Sequence, residues 1–271
     1  MRVFSWKGLN LAVVTGAVAL SQATGASATP AISWPKLVVT AMGYTAPRTH
    51  VALEAPTLLP KDYFGGPSQS SALVANTVSV DAGAHEYAVN LSDCSPPLPL
   101  NSPQLKALNG TCSYQMAIFG SFGGGLYNSG RSAAHALETA EAQDLYPGSG
   151  CKDKVLVRLS RGVVATVYSA ADNPTGCIAS WRQRGWMFVF DGGLQGRQWP
   201  GLSWIQTADQ IIDYTARYPL PGNDGVFDAT YAGDGLPTTV IWAAGDDVYS
   251  TFTYHGALPA VEMAASMRAY P

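Results

Sequence analysis

The stretch TTVIWAAGDDVYSTFTYHGALPAVEMAASMRAYP, residues 238–271, closes the chain. It reads as an apolar strand, a tight turn at Ala244-Gly245-Asp246-Asp247, and a second strand that places Val248, Ser250, Phe252 and Tyr254 on one side. A short helix follows, with Ala260, Met263, Ala264 and Met267 on one face, and Tyr270-Pro271 ends it. Proline disfavours helix in the residue before it, so a Tyr-Pro pair acts as a stop.

The same order of elements recurs upstream. Tyr-Pro occurs again at Tyr146-Pro147 and Tyr218-Pro219. Ala133, Ala136, Leu137 and Ala140 have helical spacing before the first, and Ala208, Ile211, Ile212 and Thr215 before the second. Thr207 with Gln210 suits a capping box. SYQMAIFGSFGGGLYNS and GCIASWRQRGWMFVFDGG precede these helices, each read as strand, Gly-containing turn and aromatic strand. An earlier strand lies in HEYAVNLSD, KVLVRLSRGVVATVYSA and GVFDATYAG. The expected fold class is therefore α+β: repeated strand-strand-strand-helix units, with antiparallel sheet covered by helices on one face. Uneven spacing of the stops argues against a regular solenoid. The expected units are 51–147, 148–219 and 220–271, after a signal peptide at 1–28 and a flexible lead-in at 29–50. Within that lead-in, Leu37-Val38-Val39 offers an edge strand.

The signal peptide is read from Arg2 and Lys7, an apolar run over residues 9–20 and the small-x-small site Ala26-Ser27-Ala28. The run is shorter than the roughly 20 residues of a spanning helix. The chain is thus expected to be secreted, with no membrane insertion after cleavage. A net charge of −3 and the lack of a basic run exclude nucleic acid as a partner. Charged residues make up only 13% of the chain, against roughly 25% in typical domains. Low charge is ordinary for secreted proteins; the sharper alternative is life in acid or high salt, since such a surface has little charge to change when pH falls.

Four cysteines in an exported chain point to disulfides. Three pairings exist; the nearest pairs, Cys94–Cys112 and Cys151–Cys177, are favoured, because each brackets a loop-rich stretch. Closing the first loop is worth about 3 kcal/mol in the chain-entropy model. No C-x-x-C or C-x-x-H spacing supports zinc.

No catalytic residue, metal or cofactor is expected. Ser121 in GSFGG does not form a nucleophile elbow and reads as a hairpin turn. His50, His85, His135 and His255 are scattered. Asp191, Asp224, Asp228, Asp234, Asp246 and Asp247 sit near glycines without the ligand spacing of a calcium loop, which is turn chemistry. The stretch WRQRGWMFVFDGGLQGRQWPGLSW stands out instead, with Trp181, Trp186, Trp199 and Trp204 among Arg182, Arg184 and Arg197. Flat aromatic faces stack on sugars or apolar ligands, and Arg holds carboxylates. The candidate ligand surface is Trp199 and Trp204 with Arg197 as anchor, joined by Trp181 and Trp186; core filling is the competing role for these rings.

HVALEAPTLLP with HEYAVNLSD, and VIWAAGDDVY with AVEMAASM, resemble the opening and ending of uncharacterised extracytoplasmic domains of Gram-positive bacteria, of the kind attached to anti-sigma factors and sporulation lipoproteins. The resemblance implies an exported, non-catalytic module. The expected function is a secreted binding or surface-associated protein whose partner is a cell-wall polymer, another protein or a second copy of itself. A secreted hydrolase acting on polysaccharide or peptide is the alternative, and an extracytoplasmic sensor module the third reading.

Overall fold

Alternating burial along the chain marks strands such as Thr238–Ala244 and Asp247–Thr253. The computed structural model describes residues 32–62, 73–106, 112, 120–127, 129–130, 133–135, 137–138, 151, 153–170, 173–191, 203–230, 236–254 and 256–271. Short strands β1 (Glu54–Pro56), β2 (Lys61–Asp62) and β3 (Leu73–Val74) precede β4 (Thr77–Gly83), β5 (Glu86–Ser92) and β6 (Gly120–Leu126). Then come β7 (Asp153–Arg158), β8 (Val164–Ala170), β9 (Asn173–Gln183) and β10 (Trp186–Asp191), followed by β11 (Gly225–Thr230), β12 (Thr238–Ala244), β13 (Asp247–Thr253) and β14 (Met267–Ala269). The helices with described bounds are α1 (Lys36–Thr45), α2 (Trp204–Arg217) and α3 (Ala257–Ala265).

The protein is mixed α and β, built on a ten-stranded sheet in the order β4-β5-β6-β13-β12-β11-β10-β9-β8-β7. Every pairing is antiparallel except β10 with β11. That parallel junction departs from the all-antiparallel expectation. Adjacent parallel strands need a crossover, and α2 lies between β10 and β11 in the chain. The strands of 220–271 stand between those of 51–147 and those of 148–219, because β13 pairs with β6.

One side of the sheet forms the main core, and the register organises it into rows. Tyr87, Gly124, Tyr249, Trp242, Gly225 and Trp186 are successive cross-strand partners. Each glycine of the row is therefore flanked by large rings. A Cβ on Gly124 would lie 2.8 Å from the Tyr249 ring and 3.0 Å from that of Tyr87, and one on Gly225 would lie 2.5 Å from the Trp186 ring. The next row includes Val89, Phe122, Thr251, Val240, Phe227, Phe188 and Trp181. Trp181 stacks on Phe188 with centroids 4.9 Å apart. The apolar side chains of both rows share one hydrophobic cluster with buried residues of α1, α2 and α3. A smaller cluster of Ile178, Met187 and Val189 is separate from it.

Several local expectations are corrected. Residues 36–45 of the lead-in are helical, burying Val38, Ala41, Met42 and Thr45 at helical spacing, so Leu37-Val38-Val39 adds no strand. The capping box is Ser203 with Gln206, one turn before Thr207, whose side chain is buried. Tyr218 caps α2, but Tyr270 follows β14 and donates its N–H to Leu53 O, so Tyr270 ends a strand. KVLVRLSRGVVATVYSA makes two strands, β7 and β8. GSFGGGL is a central strand, where the reading had a turn. Tyr146 and the signal peptide lie outside the described residues. The cysteines pair as Cys94–Cys112 and Cys151–Cys177. Among the described residues no helix is long and apolar enough to cross a membrane.

Gly124→Val is expected to destabilise the protein by about 1–3 kcal/mol through overpacking against the two tyrosine rings. Urea denaturation followed by tryptophan fluorescence measures it.

Candidate functional site

The tryptophan-rich stretch builds core. Trp181, Trp186 and Trp204 are 3%, 4% and 6% exposed. Trp181 and Trp186 point to the inner side from β9 and β10, and Trp204 opens α2 within 6.5 Å of the Phe190 ring centroid. All three belong to the main hydrophobic cluster, so they do not form the exposed aromatic surface expected of this stretch. Trp199 and Arg197 lie outside the described residues.

A second group of polar side chains lies at the end of the glycine row, where the segment before and through β1 crosses the core. Tyr87 donates its hydroxyl to Glu54 O at 2.7 Å and accepts from Glu54 N–H at 3.1 Å. Tyr249 donates to Ala52 O at 2.8 Å, and Asp247 Oδ2 accepts from Ala52 N–H at 3.3 Å. Both rings thus fasten the segment by their hydroxyls while packing beside Gly124. Burial pushes both tyrosine hydroxyls well above their ordinary range. It also raises Glu54, helped by the nearby Asp247 charge, while Trp242 and Arg268 act the other way. Glu54 Oε2, Asp247 Oδ1 and Trp242 Nε1 are buried without hydrogen-bond partners. Asp247 is 8% exposed and Trp242 is fully buried. Asp247 thus holds the segment by its carboxylate, while half-buried Glu54 is fastened through its backbone to Tyr87.

The opposite side of the sheet carries an open groove of about 460 Å³. Its floor is β6, where Gly123 and Gly125 present no side chain. Gly123 is held to glycine by the adjacent strand β5, since a Cβ there would fall 2.3 Å from Tyr87 O. At Gly125 the nearest atoms to a Cβ are 3.9 Å away, one of them on the Tyr127 ring. One wall has Asp81 and Glu86 on β4 and β5; the other has Val248 and Ser250 on β13 with Ile241 on β12. Ser121 and the exposed ring of Tyr127 also line it. Two strand spacings separate the walls, roughly 10 Å. Among the described residues its lining holds two carboxylates, hydroxyls and an aromatic face, with no cation.

Sequence reasoning missed this groove. Four glycines in seven residues resemble a turn, and the cue to a strand was only Phe122 between them, an inward ring among small neighbours. Val248, Ser250 and Phe252 do share a side of β13, with Tyr249, Thr251 and Thr253 buried on the other. Among the described residues no group of His, Cys, Asp and Glu is arranged to hold a metal. In comparisons with protein-family models, curated proteins and solved structures, no match to this chain was found.

Glu54 and Glu262 both bind their protons more tightly folded than unfolded, Glu262 through burial. Their contribution to stability is therefore complete below the ordinary glutamate value of about 4.3 and fades as pH rises through the raised values. The unfolding midpoint should fall on this account as pH rises above about 4.3. Glu54→Gln, which mimics the protonated form, should flatten that dependence in urea titrations at matched pH.

Proposed function

We propose that this is a secreted, non-catalytic binding protein whose groove along β6 takes a polyhydroxylated cell-wall polymer, neutral or carrying amino groups. The observation that supports this reading is the glycine-floored trough with Asp81, Glu86, Ser121 and Ser250 at hand and Tyr127 lying beside Gly125. Hydroxyls and carboxylates hydrogen-bond sugar hydroxyls or ammonium groups, and a tyrosine face stacks on a ring. An anionic polymer would meet like charge on the wall. Two disulfides fit an oxidising compartment.

Hydrolysis fits the groove less well. Glycoside cleavage uses two carboxylates flanking the bond. Asp81 and Glu86 stand on the same side of β6, from neighbouring strands. The other pair, Glu54 and Asp247, does not line the groove. The succession β8–β9–β10–α2 followed by β11–β12–β13–α3 supports the reading of a repeated unit with helices over one face. A sensor module of the extracytoplasmic kind would use the same groove for its ligand.

Chito-oligosaccharides, in acetylated and deacetylated forms, test the proposal by calorimetric titration. Gly125→Leu should block binding while the unfolding midpoint changes little, because the Cβ position is open to the groove. Tyr127→Ala should weaken it by about 1 kcal/mol or more, the scale of a lost stacking contact. Failure of both sugars to bind, or unchanged binding in Gly125→Leu, removes the groove as the site.

A further inference from the structure

The turn between β9 and β10 is built from Arg184 and Gly185, with φ of 52° and 85°. Asn or Asp takes the first of these positions with less strain, since a short polar side chain tolerates left-handed backbone. Gly185 is required there, because a Cβ would lie 2.1 Å from Asn223 O. Arginine at 184 is therefore costly and needs another account. Its guanidinium is exposed and makes no ion pair or hydrogen bond among the described residues.

The turn leans on the loop after α2, and between them lies a cleft of about 210 Å³. Its lining includes the apolar Trp186, Phe188 and Leu220, all buried. Gln183 lines it as well, and its Oε1 is buried without a hydrogen-bond partner. Thr215, in the last turn of α2, lies along the same cleft. Carbonyls at a helix C-terminus carry partial negative charge and favour a donor. The cleft thus combines one free cation, one unpartnered acceptor and an apolar floor. Its volume is below the roughly 300 Å³ at which drug-sized pockets begin, so the occupant is about one residue in size.

We propose that this cleft binds an apolar α-amido carboxylate. The carboxylate meets the Arg184 guanidinium, the adjacent amide N–H donates to Gln183 Oε1, and the apolar side chain lies on Trp186, Phe188 and Leu220. Free N-acyl amino acids and the C-terminus of a peptide share this chemistry. The site is separate from the sheet groove and does not rest on its function.

Isothermal titration and the indole N–H shift of Trp186 test it on the full chain. The probes are N-acetylphenylalanine, its carboxamide, and a tripeptide with a free C-terminal phenylalanine. Saturable binding of one or both acids is expected, with the carboxamide weaker by at least about tenfold for loss of the charge-assisted contact. Binding of the free acid alone identifies a small molecule, and binding of the tripeptide at least as tightly identifies a chain terminus. Arg184→Asn should weaken binding at least about tenfold while leaving the unfolding midpoint equal or raised, since asparagine suits the turn. Gln183→Met should also weaken it, without loss of fold. No saturable binding, equal affinity for acid and carboxamide, or an Arg184→Asn protein that binds as the parent does, each overturns the proposal.

Discussion

Rings and glycines share a row across the middle of the sheet, and much of the structure depends on that fit. Tyr87 and Tyr249 close over Gly124, and Trp186 leans over Gly225. A glycine in a strand interior loses conformational entropy and supplies no packing of its own. Here its neighbours supply the missing surface. Trp242 and Tyr249 lie with centroids 5.7 Å apart between the two glycines, so the row is nearly continuous aromatic surface. Such rings bury large apolar areas and favour offset contacts. The same arrangement aims the two tyrosine hydroxyls at the chain crossing above them.

The row has a consequence on the other side of the sheet. Successive residues in a strand face opposite ways, so the glycines of β6 serve both surfaces. Gly124 yields to the tyrosine rings and Gly123 to the backbone of β5, and with Gly125 they floor a trough without side chains. A core requirement and a groove thus arise from one run of glycine. Neither Glu54 nor Asp247 enters that groove, since Glu54 belongs to the crossing segment and Asp247 alternates with groove-facing Val248. Separation of the two acidic groups by the sheet divides structural from surface chemistry.

The outer strands are treated differently. β4 is covered along its free edge: Asn101 Oδ1 accepts from Val80 N–H at 2.6 Å, and Leu98 N–H donates to Thr77 Oγ1. The opposite edge is β7, with Val155 and Leu156 exposed. Its turn to β8 is tied to α2, where Asp209 Oδ1 accepts from Ser160 N–H and Asp213 pairs with Arg161. The Cys151–Cys177 bond anchors the chain just before β7 to β9. The periphery is held by hydrogen bonds and a covalent link, whereas the centre is held by rings.

Local chemistry by itself determined the hairpins in which apolar or alternating strands flank a two-residue turn, namely β9–β10 and β12–β13, and the buried stripe of α2 at Ala208, Ile211, Ile212 and Thr215. The cysteine pairs were legible too, since each joins neighbours in the chain. Period and spacing are properties of a few adjacent residues, so they survive without a partner. Only the tertiary structure decided that GSFGGGL is a strand, because glycine has no strand preference and its place depends on rings from β5 and β13. It also decided that Trp181, Trp186 and Trp204 turn inward, that β13 seats beside β6 more than a hundred residues earlier, and that β10 and β11 run parallel. The groove and the cleft follow from those long-range pairings. Their residues come from strands and loops that share no local pattern, and surfaces assembled across distant segments leave no periodic trace in the chain.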